Sequence, residues 1–259
     1  MQLATRRLLG VKLAVAVTVA LTACSQAEQT TESAPLAQIA SGDETAPAEN
    51  GIDQLPAEEV LEKVVANLER AGSFRVSGTT LKDSTIDITF KVGEGSVGTV
   101  TTGSEVELIA SDDVVYITSD RETLAEVIDA DIDDTIAGKW IRLSPDESED
   151  SDYRIFADAS SFVDAVLGLP VEAGPTSVKE VDGVPAVGLT LADSGGMLWV
   201  AAEGKPLPVR FEEKGASGNA GVLTFNDFGA DVEIKAPKDS NVIDPAELPK
   251  DDEDSDGGE

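Results

Sequence analysis

One thiol, no imidazole and 50 carboxylates bound the chemistry open to this chain of 259 residues. Without histidine, the commonest general base and the commonest metal ligand are gone. With Cys24 as the single cysteine, a thiolate zinc site and a disulfide framework are excluded too. Ser-His-Asp catalysis falls with the histidine, and no lysine has a serine three positions before it, so the Ser-x-x-Lys dyad is absent. Paired carboxylates can hydrolyse glycosides, but in so acidic a chain chance pairs are everywhere and decide nothing. Asp129, Asp131 and Asp133 are spaced like the first ligands of a calcium loop. The sixth position, where the turn needs glycine, is Asp134, and the twelfth, where a bidentate glutamate belongs, is Trp140. Asp252, Asp254, Asp256 and Gly257 fit better but run out at the eighth position. No catalytic residue, metal or cofactor is expected.

The remaining thiol has a role that its position suggests. Arg6, Arg7 and Lys12 form a positive segment, Leu13 to Leu21 is an apolar run too short to span a bilayer, and small Thr22 and Ala23 precede Cys24. Leu21-Thr22-Ala23-Cys24 resembles the lipobox of bacterial lipoproteins, whose thiol receives a diacylglycerol before the preceding peptide bond is cut. The resemblance implies a signal peptide over residues 1–23, acylation of Cys24 with palmitate-type chains, and a protein anchored at the outer face of the cytoplasmic membrane, in the cell envelope. Two acyl chains anchor stably where one is marginal, each buried CH₂ contributing roughly 0.8 kcal/mol. Thr5-Arg6-Arg7-Leu8-Leu9 loosely resembles a twin-arginine signal, so both export routes stay open.

Loss of residues 1–23 removes Arg6, Arg7 and Lys12 and no acid, which takes the net charge from −31 to −34. Such a surface repels nucleic acid, whose binding needs lysine and arginine, and anionic lipid headgroups. The acidity suits solubility, and the acyl anchor rather than surface charge is expected to hold the protein at its membrane.

The elements follow from periodicity. Residues 24–53, the lipidated cysteine and a stretch rich in Ser, Thr, Gln, Glu, Ala and Pro, read as a disordered tether. Its r.m.s. span is roughly 30 Å and its stretched limit about 100 Å. Residues 54–243 read as one domain and 244–259 as a disordered acidic tail. The domain opens with a helix after Pro56, with Leu61, Val64, Val65 and Leu68 on its apolar face and Gly72 as its stop. Period-two alternation follows at Ile86, Ile88, Phe90 and Val92, at Val106, Leu108 and Ala110, and at Val115 and Ile117, with turns at Asp112-Asp113 and Gly93-Glu94-Gly95. A capping box, Ser119-Asp120-Arg121-Glu122, predicts a short helix. Trp140, Ile141 and Leu143 predict a strand, Ser144 to Asp152 an acidic loop, and Phe162, Val163, Val166 and Leu167 a further helix ended by Gly168. Strands are predicted at Val184–Leu191, Met197–Ala201, Leu207–Glu213, Gly221–Asn226 and Val232–Lys235. The order predicts a curved sheet with helices on one side. Its apolar face serves equally as closed core or as the wall of a cavity, because both need the same residues.

The order of several strings resembles the actinobacterial LolA-like lipoproteins of the LppX/LprAFG group, over about residues 55–240. These are Ala71-Gly72-Ser73-Phe74-Arg75-Val76-Ser77-Gly78, Asp113-Val114-Val115-Tyr116-Ile117, Gly138-Lys139-Trp140-Ile141, Gly204-Lys205-Pro206-Leu207-Pro208-Val209-Arg210-Phe211, Phe225-Asn226-Asp227-Phe228-Gly229 and Val232-Glu233-Ile234-Lys235-Ala236-Pro237. The resemblance implies an α+β half-barrel, a strongly curved antiparallel sheet with helices packed on its concave face. It also implies a hydrophobic cavity that binds, and carries, an acylated lipid or glycolipid. The inward positions expected to line it are Ile88, Phe90, Val106, Leu108, Ile117, Leu189, Val200, Phe211 and Phe225. The alternative is an anchored, non-enzymatic interaction or scaffold module with a filled core, in which the acidic loop at Asp146–Asp152 is a candidate contact surface. Its protein partner is not named by the sequence.

Overall fold

The computed structural model describes residues 48–128, 136, 138–143, 153–168, 170–192, 196–215 and 220–248. Cys24, most of the tether, both acidic calcium-like runs apart from Trp140, and the acidic loop lie outside them. Residues 48–50, which composition assigns to the tether, run beside Ala201–Gly204: the Asn50 amide donates to the Ala202 carbonyl at 3.0 Å and the Gly204 amide to that of Ala48 at 2.9 Å. Ile52 follows in a 3₁₀ turn and is buried in the core. Helix α1 (Ala57–Ala71) starts after Pro56 and ends at Gly72, whose left-handed φ of 78° is the helix stop glycine takes most readily. Its buried row is Val60, Val64 and Leu68. Leu61 and Val65, predicted on the same face, sit half-buried on its flank.

The first strand series is β1 (Ser73–Thr79), β2 (Thr85–Lys91), β3 (Gly95–Thr102), β4 (Ser104–Ser111), β5 (Val114–Thr118) and β6 (Trp140–Leu143). The second is β7 (Val171–Ala173), β8 (Lys179–Val181), β9 (Val184–Leu191), β10 (Met197–Ala201), β11 (Pro208–Lys214) and β12 (Ala220–Asn226). They join into one open, curved sheet in the order β6-β5-β4-β3-β2-β1-β12-β11-β10-β9-β7, with β8 paired to β9. All these pairs are antiparallel. Asp112 and Asp113, at φ 54° and 63°, make the two-residue turn between β4 and β5.

Three expectations are corrected. Val232–Lys235 is not a strand. Both edges of β12 are already taken, by β1 and β11, so the chain leaves the sheet there. It rejoins as β13 (Val242–Ile243), parallel to β6 at the open edge. The end of the domain also runs past Ile243: Leu248, in the stretch expected to be tail, packs on the core. Helix α2 (Arg121–Ile128) is capped by Asp120, whose carboxylate accepts from the Thr123 amide at 2.9 Å, and not by Ser119. The Ser119 hydroxyl donates to the Glu105 carbonyl instead.

Helix α3 (Ala159–Leu167) follows a 3₁₀ turn at Arg154–Phe156. Asp158 caps it, accepting from the Ser160 and Ser161 amides at 2.7 and 2.9 Å. Burial raises the Asp158 pKa, but hydrogen bonds from the Ser161 hydroxyl and the two amides outweigh it and hold the carboxyl below its ordinary range. Phe162, Val163 and Leu167 join the buried rows of α1 and the sheet in one core.

Candidate functional site

Strand register decides which face each candidate occupies. One cross-strand row reads Leu189, Leu198, Phe211, Leu223, Gly78, Ile86, Val100 and Val106, from β9 to β4. A second runs from Phe225 through Val76, Ile88, Gly98, Leu108 and Ile117 to Ile141. A third contains Phe74, Phe90, Ser96, Ala110, Val115 and Leu143. All nine candidates, with Val200 on β10, lie on this inward face and are buried in the single large core. Side chains that alternate with them, such as Asp87, Thr89, Glu107 and Arg210, face outward and are more exposed.

The inward face is uneven. Gly78, Ser96, Gly98 and Ala110 leave little side-chain bulk in its middle. At Gly98 a Cβ would lie 2.0 Å from the Asp87 carbonyl oxygen, so the strands approach there as only glycine allows. The α3 segment rests on this stretch. The Ser96 hydroxyl, fully buried, donates to the carbonyl of Phe156. Phe162 packs its ring against Phe90 (centroids 4.8 Å), Phe156 (6.3 Å) and Phe225 (6.4 Å), and Phe74 stacks on Phe90 at 5.1 Å. Ser96 and Phe156 escape the sequence reading, since a buried serine in a strand carries no mark that separates it from an exposed one.

The two larger clefts beside α3 lie on different flanks of it. One, of about 200 Å³, enters between the sheet and α3, lined by Ile86, Phe156, Phe162, Ala165, Val166, Phe211 and Leu223, with exposed Ile155 at its edge. Phe211 is the one of the nine candidates that it reaches. The other, of about 560 Å³, lies between α1 and α3. Basic side chains are absent from the walls of both among the described residues. Arg75 and Arg210 pair instead on the outer face. Arg75 donates from Nε to Asp87 at 2.6 Å and lies 3.6 Å from Asp227, and Arg210 Nε donates to Asp182 at 2.9 Å. The Arg75 hydrogen bond holds the Asp87 carboxyl below its ordinary range against a smaller effect of burial. Among the described residues no three acidic or thiol side chains converge to hold a metal ion, and no helix is long and apolar enough to cross a membrane.

The half-barrel is similar to mycobacterial lipoproteins. LprF from Mycobacterium bovis is 18% identical, at a TM-score of 0.48, over 70% of this chain and 96% of that one. Lipoprotein LppX from Mycobacterium tuberculosis is 12% identical, at a TM-score of 0.43, over 69% and 98%. An uncharacterized conserved protein from Thermus thermophilus is 14% identical, at 0.39, over 73% and 98%. No protein-family model matches the chain, and no curated protein matches it by sequence.

Proposed function

We propose that this chain is a lipid-anchored, non-enzymatic protein of the cell envelope that binds an acylated lipid against the inward face of its half-barrel, with Cys24 as the anchor. The observation that supports this best is the 200 Å³ cleft, mainly apolar, in which exposed Ile155 and Ala165 and buried Phe162 and Phe211 share one lining, with Thr79, Thr80 and Glu213 as its polar members. Pockets that enclose a drug-sized ligand hold about 300–1,000 Å³, so in this state the cleft takes the end of one acyl chain. A whole chain needs Phe162 and α3 to move outward, opening the rest of the face to the nine inward candidates. Each methylene buried then contributes roughly 0.8 kcal/mol. The phenylalanine cluster that closes this face favours a second reading, an anchored interaction module that never opens.

The two readings part in one experiment. The protein is exported in a bacterial envelope, extracted, and analysed for bound lipid by native mass spectrometry, beside Ala165→Trp. Ala165 is exposed at the cleft mouth, so tryptophan there blocks entry without disturbing the core. Fully buried Leu108 is unsuited to such a block. Lipid on the parent and none on Ala165→Trp supports binding through this cleft. A lipid-free parent that also ignores an added solvatochromic acyl probe leaves the closed module.

A further inference from the structure

The groove between α1 and α3 differs in kind from the cleft on the other flank of α3. Its floor is apolar, made by Leu61, Val65, Val163, Leu167 and Val171. Around that floor stand Glu58, Glu62 and Glu69 from α1 and Asp164 from α3, all exposed. None of the four pairs with a cation among the described residues. Lys63 and Arg70 do not line this groove; they line a neighbouring cleft with Asn67 and Pro206, and Glu58 and Glu62 stand on the ridge that the two share, while Glu69 and Asp164 belong to the groove and not to that cleft. Glu58 to Glu69 covers about three helical turns, roughly 16 Å at 1.5 Å per residue. The groove is therefore long, greasy along its base and negative along its rim. An anionic lipid headgroup is repelled by that rim, and a bare acyl chain leaves it unused.

We propose that the α1–α3 groove docks a cationic amphipathic helix of a partner protein. Its apolar side chains sit over Val65 and Val163, and its lysines or arginines stand between Glu62, Glu69 and Asp164. Helix-in-groove recognition reads apolar anchors at i, i+3/i+4 and i+7, and complementary rim charges fix register and speed association. The proposal is independent of lipid binding, because Phe162, Ala165 and Val166 face the other cleft and Val163, Asp164 and Leu167 face this groove.

The test uses a fluorescent peptide of leucine and lysine, about 18 residues or five turns long, with leucines at helical spacing. It is titrated by anisotropy into the full chain carrying Cys24→Ser. A peptide of the same composition whose order lacks the apolar stripe is the first control. The triple variant Glu58→Lys, Glu62→Lys, Glu69→Lys is compared with Glu105→Lys, Glu107→Lys, Glu180→Lys, which changes net charge equally at exposed sites on the sheet. Thermal melts of both establish that they fold. The expected result is about tenfold or greater weakening by the α1 variant and by loss of the stripe, with less than about twofold change in the sheet variant. Equal weakening by both variants, or indifference to peptide order, overturns the proposal and leaves diffuse attraction to an acidic surface.

Discussion

Helices α1 and α3 cover the same face of the same sheet by different means. Helix α1 has 15 residues, buries Val60, Val64 and Leu68 in one row, and is tied at its far end by Gly72 into β1. Helix α3 has nine, starts at an Asp158 cap, buries Ala159, Phe162, Val163 and Leu167, and follows a turn whose Phe156 carbonyl accepts the buried hydrogen bond from Ser96. The first is the longer and runs through Gly72 directly into β1, whereas the second is six residues shorter and has an open apolar cleft between it and the sheet. Opening of the inward face is therefore expected at α3, with α1 left in place.

The largest effects come from truncating each cover. Phe162→Ala is expected to lower stability by about 3–5 kcal/mol and Leu68→Ala by about 2–5 kcal/mol, measured by urea unfolding. The two separate in a second readout: the space freed beside Phe156 and Phe211 raises acyl-probe binding in Phe162→Ala but not in Leu68→Ala. Equal probe binding by both erases the distinction between the helices.

Ser96→Ala strips the buried Phe156 carbonyl of its donor and is expected to cost about 1–3 kcal/mol. Hydrogen exchange should quicken over residues 154–167 while the amides of α1 keep their protection. A uniform change across both helices would mean that Ser96 supports the core as a whole.

Asp158→Ala removes the α3 cap at a cost of about 1 kcal/mol. The same cap gives α3 a pH response. Because the folded carboxyl lies below its ordinary range, its contribution is complete above the unfolded value, near 4, and is lost as pH falls through the depressed folded value. Exchange protection of α3 should therefore decline on acidification in the parent and be low already in Asp158→Ala. Pro56 gives α1 no side-chain cap of this kind. The smallest effect belongs to Asp113→Gly. It relieves a left-handed residue at φ 63° and is expected to stabilise by up to about 1 kcal/mol, raising the melting temperature without altering probe binding.

The parts of the fold legible in the sequence are those whose side chains alternate. Strands β2, β4 and β5 are written in apolar residues at period two, and five of the nine inward candidates, Ile88, Phe90, Val106, Leu108 and Ile117, follow from that alternation. Strand β3 is not legible, because the close approach that demands Gly98, and the seat for the Phe156 turn that demands Ser96, replace apolar residues with small ones at inward positions. Strands β7, β8 and β13 are two or three residues long, too short for a period to register. Residues 48–53 read as tether by composition, and one isoleucine, Ile52, draws them into the core. Whether the inward face is filled or hollow could not be read, since Phe162 supports either state with the same ring.

Strand order carries one more consequence. Residues 73–118 and 179–226 each pair consecutive strands, and the two runs meet in the main sheet at the β1–β12 pairing, where Val76 faces Phe225. Hairpins close short loops quickly, whereas this junction must join segments from opposite ends of the domain, and it is expected to form later than they do. It is also a natural line of fragment complementation. A chain cut between Leu143 and Tyr153 yields two pieces, the second carrying α3. Their reassembly requires β12 to find β1 and Phe162 to find Phe90.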